Sequence, residues 1–536
     1  MSNDPLASKE WHKGAIDLTS LGDEFTGSGI AVGVFDDGIE KGHADLSANY
    51  DASKEFVYNG ATYNPQGAAG QQNHGTAVAG IIAAVADNGA GGSGIAPKAK
   101  ITAVDIIGNA GGAMIPAIGH MAAFDLTSNS WNWVSKYVDG VGTAFGAAFQ
   151  NALKSAAETG RAGLGTVIVV AAGNDWQTDR RDANYSEFSA SRHTITVGAW
   201  TDLGTRASYS NTGANILVAA PSNGGSKGIF TTDETGSAGY SSAAYTETFG
   251  GTSAATPIVS GVVALMLEAS GKSLGWRDVQ EILAFTADVK AGGFEETGGA
   301  YVTNQTDLWA INGARTVDGG GKAFSNDAGF GQVDAYEAVR FSEVWTLFGA
   351  AKTSANEASV RVSDGTTKAV GNGSGFTDYQ LVVGTGLDLD YVTLTLTMTH
   401  GNVEDLRIEL ISPDGTRSLM LTTGSTTAVN AFSAKTWMFG SNEFRGELSA
   451  GTWTVRVTDT RANSYSGSVS SVVLDLYGDG VTVDNVYHYT DDFMKMLAIE
   501  PSRSLVTDTN GGTDWLNFSA IRGGIDADLS ARTILM

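Results

Sequence analysis

The chain has 536 residues, 42% of them hydrophobic and 17% charged, with a formal net charge of −25 and a pI near 4.5. That composition is globular and leaves room for two or three domains. Such an acidic chain disfavours nucleic acid and anionic membranes as partners, and with no cysteine it carries no disulfide. The reading finds neither an apolar run of transmembrane length nor an N-terminal signal peptide.

Four segments carry chemistry. Residues 30–35 read Ile-Ala-Val-Gly-Val-Phe and end in Asp36-Asp37-Gly38, the pattern of a buried parallel strand delivering a side chain at its C-terminal edge. His74-Gly75-Thr76 leads into an apolar run of small residues, expected as a buried helix. Val167–Ala171 is a β-branched strand followed by Gly173-Asn174. Gly251-Thr252-Ser253-Ala254-Ala255-Thr256-Pro257 opens a second apolar helix, with Pro257 expected in its first turn, where a missing N–H costs nothing.

A serine hydroxyl needs a base to take its proton, and the base needs a carboxylate to fix its tautomer. Ser253, His74 and Asp36 fill those roles, in one of the chain orders known to build that constellation. Asn174 supplies an amide donor for the tetrahedral oxyanion. Taken singly, Asp-Asp-Gly is a turn and His-Gly-Thr a helix start; the four together in this order make the catalytic reading specific.

These segments resemble the subtilisin-like serine proteases, or subtilases, and within them the kexin/furin branch. Asp4-Pro5-Leu6 with Trp11-His12, Asp36 to Asp45-Leu46, and Trp276-Arg277-Asp278-Val279-Gln280 carry the closer match, over about residues 4–340. The resemblance implies an α/β fold with a central parallel sheet flanked by helices, and serine endopeptidase activity. It makes Asp36 rather than Asp37 the triad carboxylate. Asp37 then faces the pocket for the second residue before the scissile bond, and Ser130, Trp131 and Asn132 form one wall of the first pocket.

The resemblance also implies one bound calcium ion. Its ligands are the side chains of Asp4, Asp45 and Asn88 and the carbonyls of Val85, Ala90 and Gly92, an oxygen set of the kind calcium takes. The branch cuts after paired basic residues using pocket carboxylates. Here the matching positions hold Ser135 and Ala183, although Asp179 and Asp182 stand nearby, and Ile107–Pro116 carries no acid. Cleavage restricted to dibasic sites is therefore not expected, and the acids that a second calcium site would share are largely absent.

From 345 to 480 the composition shifts to Thr, Val and Ser in alternating runs: Tyr391–Met398, Leu406–Ile411, Trp453–Val457 and Val472–Tyr477. This predicts an antiparallel β-sandwich. The segment resembles the P domain of kexin-type proteases through His400, Asp405-Leu406, Ser412-Pro413, Gly415-Thr416 and Gly451-Thr452-Trp453. Phe444-Arg445-Gly446-Glu447 stands near where a Trp-Gly-Glu element is expected.

From 481 to 536, Thr509–Ser519 and Gly523–Ser530 resemble the C-terminal region of serralysin-type secreted proteins, without full nonapeptide repeats. That implies bacterial export through a C-terminal signal, with the sequence read as a candidate fragment of a longer chain.

The expected protein is a secreted, calcium-dependent, monomeric serine endopeptidase whose subtilisin-like peptidase domain spans residues 1–344. It acts on protein and peptide substrates, and a separate folding chaperone or inhibitor is a candidate partner. The alternative is an idle scaffold whose role is extracellular binding or adhesion. A decayed enzyme would have lost Asp36, His74, Asn174 or Ser253, and none is lost.

Overall fold

A computed structural model describes residues 2–63, 72–107, 111–289, 293–294, 308–373, 375–425, 429–508, 510–528 and 533–535. The N-terminal unit is built on a six-stranded parallel sheet. In chain order its elements are β1 (Ala31–Asp36), α1 (Asn73–Ala83), β2 (Lys100–Asp105), β3 (Leu126–Asn129), α2 (Ala144–Thr159), β4 (Val167–Ala171), β5 (Thr194–Trp200), β6 (Ile216–Pro221), α3 (Thr252–Ala269), α4 (Trp276–Phe285) and α5 (Ala335–Val344). The strand order is β2-β1-β3-β4-β5-β6. Val32 pairs with Ile101 on one side and Leu126 on the other, and Leu126 pairs with Val167.

Strands β4, β5 and β6 are buried along their whole length. Helices cover both faces of such a sheet, so continuous apolar runs replace alternation. Helix α3 is the core element, buried without a break from Thr252 to Leu267. At 18 residues and a mean hydropathy of 1.4 it is long and apolar enough to cross a membrane. This corrects the reading that no run reaches that length: the same composition here fills a protein core, with 89% of the helix buried.

The second unit is an antiparallel sandwich. Its strands are β7 (Ala358–Asp364), β8 (Thr377–Val383), β9 (Leu387–His400), β10 (Leu406–Ile411), β11 (Arg417–Leu421), β12 (Phe432–Ser441), β13 (Gly451–Asp459) and β14 (Gly467–Gly480). One sheet runs β7-β14-β9-β12, with Lys368–Val370 also paired to β14; the other runs β8-β13-β10-β11. Leu394, Leu396, Trp437 and Leu474 from the first sheet share one core with Tyr379, Ile408, Leu410 and Val455 from the second.

The chain beyond β14 lies back on the parallel-sheet unit. His488 stacks on Trp345 at 4.8 Å between ring centroids, with Phe285 and Phe341 against it. Arg503, 1% exposed, donates to the carbonyls of Val317, Asp318 and Gly321. Thr509, residues 529–532 and Met536 of the serralysin-like stretch lie outside the described residues.

Candidate active site

The C-terminal ends of β1, β3 and β4 meet the N-termini of α1 and α3. Asp36 is the last residue of β1 and is fully buried. Its Oδ1 lies 2.6 Å from His74 Nδ1 and also accepts the Asp37 N–H at 2.9 Å. That contact fixes the tautomer, with the proton on Nδ1 and Nε2 left as a proton acceptor. Burial alone would depress the imidazole pKa; the charge and hydrogen bond of Asp36, with Asp37 behind it, reverse this and leave it raised.

Helix α1 starts where it does because Asp37 caps it. The Asp37 carboxylate accepts the backbone N–H groups of Gly75 at 2.7 Å and His74 at 3.2 Å. Such an anion at a helix N-terminus is stabilising. Gly75 is required there, since a Cβ would come within 2.1 Å of the Gly38 carbonyl oxygen. Burial, then the adjacent Asp36 charge, pushes Asp37 up to about 7. The sequence reading assigned Asp37 to a substrate pocket and did not find this capping role.

Ser253 is the second residue of α3 and 9% exposed. The helix begins at Thr252, so Pro257 is its sixth residue and not in the first turn as expected. A proline there has no N–H for the carbonyl four residues back, which is that of Ser253. Ser130 supplies the missing donor: its hydroxyl bonds the Ser253 carbonyl oxygen at 3.1 Å. In return the Ser253 hydroxyl donates to the Ser130 carbonyl oxygen at 3.3 Å. No hydrogen bond joins Ser253 Oγ to His74 in this arrangement; such contacts are often long before substrate binds.

Asn174 follows β4 by three residues. Its Oδ1 accepts from the backbone N–H of Thr252 at 2.8 Å and from the Thr252 hydroxyl at 3.1 Å. The amide is thereby oriented, with Nδ2 toward Gly251, whose φ of +75° favours glycine and whose added Cβ would lie 3.1 Å from that nitrogen. The Thr252 and Ala254 N–H groups are taken by Asn174 Oδ1 and the Gly251 carbonyl oxygen, which leaves Nδ2 and the Ser253 N–H as donors suited to an oxyanion.

The proposed pocket wall is present but bonded inward. Asn132 Nδ2 reaches the Ala171 carbonyl oxygen at 3.4 Å, and Trp131 packs on Phe188 at 4.8 Å. Val134 and Ser135 are exposed. Ala183 does not form an open second wall; it is 2% exposed and packs with Ala172 and Ile216. Asp182 is also turned away, accepting the N–H groups of Asn184 and, on the sandwich, Thr422. Burial pushes its carboxyl up to about 7. In the acid-poor stretch, residues 108–110 lie outside those described.

The residues matched to calcium come together at the N-terminal arm. Asp4 accepts the N–H groups of Asp87 at 2.7 Å and Gly89 at 2.8 Å. Asn88 Nδ2 donates to Asp45 Oδ1 at 2.7 Å. Asp45 Oδ2 is buried with no hydrogen-bond partner. Among the described residues, the carbonyls of Val85, Ala90 and Gly92 accept no hydrogen bond, whereas those of their neighbours Ala84 and Gly91 do. An orphaned carboxylate oxygen beside three unpaired carbonyls fits a hard cation. A cavity of about 540 Å³ at the junction of the parallel-sheet unit, the sandwich and the tail contains none of these residues and none of the triad.

The parallel sheet, the Asp36–His74 pair and the serine at the start of a buried helix define a subtilisin-like α/β protein with an appended sandwich. The profile of the Subtilase family matches residues 27–331, and that of the Proprotein convertase P-domain matches residues 389–476. The chain belongs to the subtilase family, in its kexin/furin-like branch. It is similar to furin of Mus musculus, with 30% identity over 504 residues covering 89% of this chain and 58% of that protein. It is also similar to proprotein convertase subtilisin/kexin type 6 of Homo sapiens, at 30% identity covering 91% of this chain and 49% of that protein. The chain thus spans about half the length of these curated relatives. The serine protease of Aeromonas sobria, solved in complex with a chaperone, shares the fold with a TM-score of 0.73 and 24% identity, covering 85% of this chain and 89% of that one.

Proposed function

We propose that the chain is a calcium-dependent serine endopeptidase. The observation that carries this reading is the buried Asp36–His74 contact beside Ser253, with Asn174 pinned to the first residue of the nucleophile's helix. As Ser253 Oγ bonds to the substrate carbonyl carbon, its proton passes to His74 Nε2 and the carbonyl π electrons move onto oxygen. Asn174 Nδ2 and the α3 N-terminus stabilise that oxyanion. Its collapse breaks the C–N bond, and His74 returns the proton to the leaving amine. A water then gives a proton to His74 while its oxygen bonds to the acyl carbon, and Ser253 Oγ departs with that proton.

Labelling of Ser253 by a fluorophosphonate, lost in Ser253→Ala together with peptide cleavage, is the expected result. A folded chain that neither labels nor cleaves with calcium present would leave the scaffold reading instead.

Calcium takes no part in these steps. Asp4, Asp45 and Asn88, with the carbonyls of Val85, Ala90 and Gly92, would hold it and tie the N-terminal arm to the loop after α1. An ion that binds only the folded state stabilises it by mass action. Chelation should lower the melting temperature, and Asp45→Ala should shrink that shift; equal melting curves with and without chelator would remove the ion from the account.

The enzyme is further proposed to act outside the cell as a monomer, not restricted to dibasic sites. The acidic surface and absence of cysteine are compatible with export. The chaperone bound to the Aeromonas sobria protease supports a separate folding chaperone here as well. Refolding yield with and without a candidate chaperone tests that point.

A further inference from the structure

The place for the side chain that precedes the scissile bond follows from the site. β3 and β4 are parallel neighbours, with Asn129 paired to Val170. Ser130 touches Ser253 and Asn132 reaches Ala171. A carbonyl carbon held between Ser253 and Asn174 therefore sends the preceding side chain between the loop after β3 and the loop after β4.

Between those two loops stands Arg181. Its Nη1 donates to the Trp133 carbonyl oxygen at 3.2 Å and its Nη2 to the Val134 carbonyl oxygen. Its Nε donates to Asp179 Oδ2 at 3.3 Å, and Nη1 lies 3.7 Å from Asp175 Oδ2. The guanidinium thus bridges the first wall to the residue that follows Asn174. Its side chain is only 16% exposed.

The remaining charges nearby are also engaged. Lys136, 4% exposed, lies 3.0 Å from Asp179 Oδ1 and 2.9 Å from Glu404 Oε1 of the sandwich. Asp182 faces the sandwich backbone. A substrate lysine or arginine entering here needs a carboxylate or several free carbonyls, because an unpaired cation in a desolvated site is costly. The wall carbonyls and Asp179 that would serve it already hold a cation.

We infer that Arg181 is a specificity-determining residue, which excludes lysine and arginine from the position before the scissile bond and leaves that pocket to uncharged side chains. The inference rests on the peptidase reading and names its substrate class. The fixed chain Glu404–Lys136–Asp179–Arg181 holds the guanidinium in place, so the sandwich positions a residue of the pocket.

The test uses the full chain and reporter peptides that differ only before the scissile bond: Phe, Leu, Lys or Arg. Fluorophosphonate titration of Ser253 first counts active sites. Wild type should cleave after Phe or Leu with a kcat/KM at least about tenfold above that for Arg. Arg181→Gln, which frees Asp179 Oδ2 and the two carbonyls while Lys136 stays on Oδ1, should raise the Arg-to-Phe ratio by about tenfold or more, mainly through KM. Arg181→Gln/Asp179→Asn should lose most of that gain. Benzamidine, a guanidinium-like probe needing no variant, should not inhibit wild type at millimolar concentration. Micromolar benzamidine inhibition, a wild-type preference for Arg, or a ratio moved less than about twofold by Arg181→Gln would each overturn the assignment. A chain that fails to label at Ser253 refutes the peptidase reading; one that labels and cleaves with the ratio unmoved refutes only the role of Arg181.

Discussion

At the scale of single residues, the site is an arrangement of charge around one imidazole. Asp36 and Asp37 both raise the His74 pKa, and catalysis needs that imidazole neutral, so activity rises with pH through its titration. Asp37→Asn keeps an oxygen to cap α1 but removes one negative charge. The acid limb of kcat/KM should therefore move to lower pH; a limb that stays put or moves up would show that Asp37 exerts no field on the base. Asn174→Ala removes one oxyanion donor and should lower kcat by about 10²–10³-fold with KM little changed, measured by steady-state kinetics on titrated enzyme. Asp36, His74, Asn174 and Ser253 could be nominated from sequence because the proposed nucleophile, base, orienter and oxyanion donor each demand a particular residue type, and the structure joins Asp36 to His74 and Asn174 to Thr252. The cap made by Asp37 could not, since nothing in an Asp-Asp-Gly sequence says which backbone N–H groups will face it.

At the scale of elements, apolar runs told strand from helix well where burial is complete. β1, β4 and α3 lie where their runs of buried residues predict. In the sandwich, the four alternating runs each fall within a strand: β9, β10, β13 and β14. The other four went unread; Ala358–Asp364 alternates apolar with polar residues, but its inward face is only half-buried, so the pattern carries little apolar weight. Asp182 misled for a related reason: its neighbours in sequence suggest a pocket, but the backbone N–H it accepts, that of Thr422 just past β11, lies 240 residues away. The misplaced first turn of α3 matters most, because it links Pro257 to Ser130. Ser130→Ala should leave the Ser253 carbonyl buried without a donor, at a cost of about 1–3 kcal/mol, and should also lower kcat by loosening the nucleophile's turn. Denaturant unfolding and single-turnover acylation measure the two effects; an unchanged midpoint would mean that another group has replaced the hydroxyl.

At the scale of the whole molecule, the sandwich and the parallel-sheet unit are joined by buried charge. Arg277 is 1% exposed; it bonds Asp390 at 2.7 Å and Asp479 at 2.7 Å. Trp437 Nε1 reaches the Asn184 carbonyl oxygen at 2.9 Å, and Asn184 in turn bonds the Met420 and Gly440 carbonyls. Removing one partner of a buried pair strands the other charge, which costs about 3–5 kcal/mol. Arg277→Met should therefore destabilise both units together, as one calorimetric transition at lower temperature. A variant in which the sandwich melts first while the other unit holds its wild-type midpoint would show that the two are independent.

The tail gives this assembly a different kind of durability. Arg503 is sunk among carbonyls of the catalytic unit and His488 is clasped by its aromatic rings, so the segment is held by its own contacts as well as by the peptide bond that leads to it. A backbone break in the connection after Gly480 would leave the pieces bound to one another. A preparation nicked there should still elute as one intact particle, and only a denaturing gel would reveal that it had become two chains.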